Sequence, residues 1–126
     1  MATNECIPFK EPGKDVTAQA TAAVTGKRFL AISGNILADG SLSVAHAGAG
    51  ARVVGVSKYD AASGAKVGVI RGAKVVVPVE CAANLTAGQE VESDAQGRAI
   101  VLASGKPAGY AETAATSGQA ARICLF

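Results

Sequence analysis

The sequence predicts a mainly β protein: a small β-barrel or β-sandwich-like domain carrying an extended N-terminal arm. Three observations lead there. From Asp15 onward short alternating runs recur every roughly 8 to 12 residues, the spacing of an all-β barrel or sandwich. Gly, Asp, Asn and Ser clusters separate those runs. Val, Thr and Gly interrupt every Ala-rich window long enough to hold a stable helix. The division that follows is an arm over residues 1–14 and a single β domain over residues 15–126.

The arm, MATNECIPFKEPGK, holds two of the four prolines and sustains no period. Val16, Ala18, Ala20 and Ala22 then share one face of a first strand with small inward groups. Arg28 to Ile32 forms a second, and Ala38-Asp39-Gly40-Ser41 supplies the positive φ angles of a tight hairpin. Ser41 to Ala45, Arg52 to Ser57, Lys66 to Ile70 and Lys74 to Glu80 continue the series. Pro78 has no N–H to give to a ladder, which places its strand at an edge or a bulge. Glu90 to Glu92, Arg98 to Leu102, Pro107 to Glu112 and Gln119 to Phe126 complete it, with a turn at Ser93 to Gly97. One helical turn is allowed at Ala61 to Gly64 or at Cys81 to Leu85.

An internal duplication is suggested by two segments that superpose without gaps at an offset of 54: Gly55 to Gly64 and Gly109 to Gly118. Both begin with Gly and end in Ala-x-Ser-Gly, and both feed an apolar strand. Upstream, Thr25-Gly26 aligns with Ala87-Gly88, giving half-repeats over 24–70 and 85–125, and two copies are too few for a solenoid.

Composition narrows the function. The 126 residues include 27 Ala and 15 Gly, a third of the chain, but no Trp, and only 29 are Leu, Ile, Val or Phe. Such a chain builds a thin core and gains from oligomerisation or from docking onto something larger. No apolar run approaches the ~20 residues of a membrane helix, so no membrane span is expected. The net charge of +2 argues against nucleic acid, as do five scattered aromatics. The charge is uneven, however: residues 27–74 carry seven bases against Asp39 and Asp60, while residues 75–126 carry three bases against five acids. The start lacks a signal-peptide pattern, and Cys6, Cys81 and Cys124 form no close pair, which suits cytoplasmic synthesis with reduced thiols.

No enzyme emerges from the residues. His46 is the single histidine and its spacing points to no catalytic partner; three scattered Cys and one His do not make a zinc site. Glu90 and Glu92 share a strand face that would suit a hard cation, but they fit a solvated hairpin better. Gly64 to Lys74 resembles a phosphate loop yet lacks the Gly-Lys-Ser/Thr ending and is followed by a strand. Catalytic residues, cofactors, metals and a small-molecule substrate are therefore not expected.

The order of motifs resembles the head-decoration, or capsid cement, proteins of tailed bacteriophages, from about Asp15 to Phe126. The motifs are Ala22-Ala23-Val24-Thr25-Gly26, Arg52-Val-Val-Gly-Val-Ser57, and Val67-Gly-Val-Ile-Arg-Gly72 leading into Val75-Val-Val-Pro78-Val. Leu85-Thr-Ala-Gly-Gln-Glu-Val91, Asp94-Ala-Gln-Gly97, Ala108-Gly-Tyr-Ala-Glu112 and Ala121-Arg-Ile-Cys-Leu125 follow. The segment Gly34 to Gly50 departs from the pattern. The resemblance implies a non-enzymatic homotrimer on the outer capsid surface of the virion, bridging major capsid protein subunits and stabilising the head. Its implied partner contacts are Cys6, Ile7, Pro8, Phe9 and Lys10 in the arm, with Arg28, Arg52, Arg71 and Lys74 facing an acidic capsid surface. The alternative is a phage accessory domain that binds a host surface or carbohydrate, for which the chain has few aromatic residues.

Overall fold

The computed structural model describes residues 15–126; the arm, with Cys6, Ile7, Pro8, Phe9 and Lys10, lies outside the described residues. The described chain is built from ten strands. They are β1 (Asp15–Ala20), β2 (Phe29–Gly34), β3 (Leu42–His46), β4 (Gly55–Ser57), β5 (Lys66–Ile70), β6 (Val76–Glu80), β7 (Glu90–Ser93), β8 (Ala99–Val101), β9 (Gly109–Ala111) and β10 (Ala120–Leu125). The two segments that allowed a helical turn, at Ala61 and at Cys81, instead make isolated bridges to Val24 and Ala99. The mainly β class holds, because the Ala-rich stretches are broken by turns whose glycines take positive φ, Gly64 at 84° and Gly118 at 89° among them.

β1 to β5 close into a barrel in the order β1-β3-β2-β4-β5, and β6 to β10 form a second sheet in the order β6-β10-β9-β7-β8. The two orders are the same cycle read in opposite directions, and the register matches residue for residue. Val56 faces Ile70 and Ser57 faces Val69 in the first unit, as Tyr110 faces Cys124 and Ala111 faces Ile123 in the second. Val16 and Ala18 face Val69 and Val67, as Val77 and Val79 face Ile123 and Ala121. Phe29 and Leu30 face Val56 and Gly55, as Glu90 and Val91 face Tyr110 and Gly109. Even the isolated bridges correspond, Val24 to Ala61 and Leu85 to Ala115. The match thus runs upstream of residue 24 to include β1 and β6.

Local details differ from the sequence reading. Lys27 donates its amide to Ser57 as Gly88 does to Ala111, so the counterpart of Gly88 is Lys27, one residue later than Gly26. Lys27 accordingly takes a left-handed φ of 62° where the second unit uses glycine at 90°. In the β2–β3 connection Gly40 alone has positive φ, and Asp39 instead accepts the Ser41 amide on Oδ1, so the turn sits inside a longer loop.

The units close differently. In the first, β1 pairs β3 in parallel through Ala18, Gln19 and Ala20. In the second, β6 and β8 meet only at Cys81 and Ala99. The gap is bridged by backbone of the first unit: Glu80 donates its amide to the Lys27 carbonyl at 2.8 Å, and Phe29 donates to the Gly97 carbonyl at 2.7 Å. Pro78, two residues from Glu80 and pointing the same way, puts its missing N–H on this open edge, where it costs no ladder bond. Phe29 leaves its own barrel and joins the second unit's core with Ala47 and Val56, beside Val77, Val79, Val91, Ile123 and Leu125. Ala18, Ala20, Val24, Leu30, Val44, Val67 and Val69 fill the first barrel.

Candidate functional site

One rim of the first barrel collects what the sequence left scattered. Asp15, the first described residue, pairs with Ile70 at the end of β5. Arg71 follows, its Cβ 3.2 Å from where a Cβ on Gly55 would stand. Upstream of Gly55 the Val54 amide still donates to the Leu30 carbonyl of β2 at 2.8 Å, and beyond it Ala31, Ile32, Ala51, Arg52, Val53 and Val54 line a cavity of about 570 Å³. Ile32 and Ile36, on β2 and the loop after it, are 55% and 59% exposed. Across the connection to β6 stands Lys74, its amide bonded to the Leu125 carbonyl at 2.8 Å. Its ammonium lies 5.5 Å from the centre of the Tyr110 ring, a cation–π distance, and that ring is 6.1 Å from Phe126. Val76 and Phe126 are also substantially exposed beside it.

Charge pairing separates the predicted cations. Among the described residues, Arg28, Lys58, Lys66 and Arg98 each sit in an ion pair. Arg52, Arg71 and Lys74 sit in none of these, and neither do Lys27, Lys106 and Arg122; it is position on the rim that groups the first three. Arg28 is placed elsewhere: its Nε meets Glu80 Oε2 at 2.9 Å across the junction between the units, where it reinforces the Lys27–Phe29 crossing. The exposed apolar side chains on the rim, Ile32, Ile36, Val76 and Phe126, were not picked out from sequence; Ile36 lies inside the segment Gly34 to Gly50 that departs from the family pattern and Ile32 just before it, which was their one visible signal.

The remaining polar groups are structurally occupied. His46 Nε2 accepts the Thr25 amide at 2.8 Å, and burial, with the Arg28 charge nearby, holds its pKa below the ordinary value. Glu90 and Glu92 are not a cation-binding pair: Glu92 is buried with Oε1 accepting the Ala103 amide, while Glu90 is exposed. Asp94 takes the Gln96 and Arg98 amides in its own turn. Asp39 is lowered to about 2 by the Ser41 amide and by Lys66. Burial raises the Cys81 thiol, which leaves it a poor nucleophile, and Cys124 is buried as well. No group of three or more His, Cys, Asp and Glu side chains suited to a metal occurs among the described residues.

Against known proteins, the family model for phage cement protein matches residues 10–125. The chain belongs to the phage cement protein family. The family is structural and capsid-associated, not enzymatic, and places this cement protein on the virion capsid. No curated protein matches the chain. Among solved structures, the head fiber gp8.5 N base of bacteriophage phi29 is similar to it in fold. The TM-score is 0.74 at 22% identity, covering 89% of this chain and 92% of that one.

Proposed function

We propose that this cement protein docks on the outer surface of the phage head through the rim at Asp15, bridges neighbouring major capsid protein subunits, and works as a homotrimer. The observation that supports this reading is the coincidence on one rim of the arm's point of departure, three cations outside any described ion pair, and exposed apolar side chains. Cations beside apolar groups complement an acidic protein surface with apolar hollows. On this reading Arg52, Arg71 and Lys74 are surface contacts, Arg28 is not, and Cys6, Ile7, Pro8, Phe9 and Lys10 contact the shell from an arm over residues 1–14. Residues 15–126 act as one β domain of two related units. Many copies each burying a modest area add through multivalency, which lets a thin-cored protein oppose the outward pressure of packaged DNA. The reading as a host-surface or carbohydrate binder has less to rest on, because the chain holds only five aromatics and they are scattered along it.

Co-sedimentation with purified, expanded heads tests it. Saturable binding of the full chain is expected, falling at least tenfold when residues 1–14 are removed while the circular dichroism of the β domain persists. Absence of binding by the full chain rejects the docking role.

A further inference from the structure

The matched registers of the two units expose one place where they are not equally filled. In the second unit, β7 and the segment before β9 splay apart, and backbone from the first unit lies between them. The Gly50 amide donates to the Ser93 carbonyl at 2.9 Å, and the Lys106 amide donates to the Gly50 carbonyl at 3.0 Å. The slot is thus closed by an inserted residue that accepts from one wall and donates to the other, as an added strand does.

The first unit has the same slot. Its walls are Ile32 on β2, the counterpart of Ser93, and Arg52 before β4, the counterpart of Lys106. The Ile32 carbonyl has the same parity as that of Leu30, which accepts the Val54 amide, so it points into the slot and not at β3. Among the described residues the Arg52 amide has no hydrogen-bond partner, and both walls line the same cavity of about 570 Å³. One of its walls is an Ile side chain left 55% exposed.

We propose that this slot receives a second copy of the chain, through the loop Ala103 to Lys106. That loop is to the second unit what Gly48 to Ala51 is to the first, since β8 follows the register of β3. The Gly105 backbone of one copy then accepts from Arg52 and donates to Ile32 of the next, repeating between chains the contact that Gly50 makes within one. Charge favours the approach of the halves, residues 75–126 being net acidic and residues 27–74 net basic, although Lys106 and Arg52 at the contact itself are both basic and must point apart. The contact is head-to-tail, joining two different surfaces, and it closes into a ring when the rotation permits. It rests on the self-association part of the proposed function, whose contact it names, and is independent of what the assembled protein attaches to.

Two measurements test it. Sedimentation velocity of the full chain is expected to show a discrete oligomer, and Ile32→Asp, at a half-exposed side chain, to shift it to monomer with unchanged circular dichroism. In a Cys6→Ser background, Ile32→Cys and Ser104→Cys made in separate chains are expected to give a disulfide-linked dimer only when the two are mixed and oxidised. An oligomer unaffected by Ile32→Asp and no mixed cross-link overturns the proposal. A monomeric wild-type chain overturns it too. In that case, protection of the Arg52 amide from hydrogen exchange that vanishes on removing residues 1–14 puts the chain's own arm in the slot, and protection only on adding empty heads puts the capsid there.

Discussion

Gly55 and Gly109 begin equivalent strands, and each lies under the backbone of its neighbour. A Cβ on Gly55 would stand 2.5 Å from the Ile70 carbonyl oxygen, and one on Gly109 would stand 2.3 Å from that of Cys124. Neither oxygen can retreat without breaking the ladder, so Gly55→Ala and Gly109→Ala are each expected to destabilise by about 1–3 kcal/mol in urea titrations. Gly48→Ala, in open space without a positive φ, is expected to cost little, and the contrast separates crowding from a general preference for glycine. His46 gives a residue-scale test in pH. Its Nε2 must be unprotonated to accept from Thr25, and its folded pKa lies below the ordinary 6.5. The unfolded chain therefore binds a proton that the folded one refuses, so this contribution is complete above about 6.5 and is lost as pH falls through the lowered folded value. Thermal melts from pH 7 down to pH 5 are expected to show a smaller decline for His46→Ala than for the wild type; parallel declines would remove His46 from the acid response.

The strands were legible because their signals are local. Alternation and the Gly-containing turns at Gly40, Gly64, Gly97 and Gly118 need only a few neighbouring residues, and the shared Gly-to-Gly segments marked β4–β5 and β9–β10 as equivalents. The crossing at Lys27 to Phe29 was not legible, since its bonds to Glu80 and Gly97 are backbone bonds that leave no side-chain signature. For the same reason Arg28 read as a surface cation: its partner Glu80 lies 52 residues away, and spacing alone does not disclose such a pair. Glu92 read as exposed because it shares a strand face with Glu90, and only the glycine loops at Gly50 and Gly105 that cover it explain its burial. The crossing makes the second unit dependent on the first. Phe29 is fully buried in the second unit's core, so Phe29→Ala is expected to cost about 3–5 kcal/mol and to expose β6 to β10 in hydrogen exchange as strongly as β1 to β5. Loss of protection confined to the first barrel would show that the second closes without it.

At the scale of the whole molecule, where charge is left unpaired bears on how attachment responds to salt. The ion pairs Lys58–Asp15 and Lys66–Asp39 neutralise much of the first barrel's basic excess, with about half of each Lys side chain still in water. Pairs that exposed add little to stability, at most ~1 kcal/mol, yet they decide where uncompensated charge remains. Among the described residues it remains at Lys27, Arg52, Arg71, Lys74, Lys106 and Arg122, of which Arg52, Arg71 and Lys74 are on the rim proposed to face the shell. Attraction of that kind is screened over roughly 8 Å at physiological ionic strength, so attachment to heads is expected to weaken as salt rises. The apolar contribution from Ile36 and Phe126 does not screen, so binding is expected to level off at high salt without vanishing. Arg71→Glu with Lys74→Glu places two acids on the rim at positions that no described ion pair uses, leaving the fold intact. The double variant is expected to bind heads at least tenfold more weakly in low salt, with a flatter salt dependence and an unchanged oligomeric state. An equal salt slope in variant and wild type would move the electrostatic contact off this rim and onto another face of the barrels.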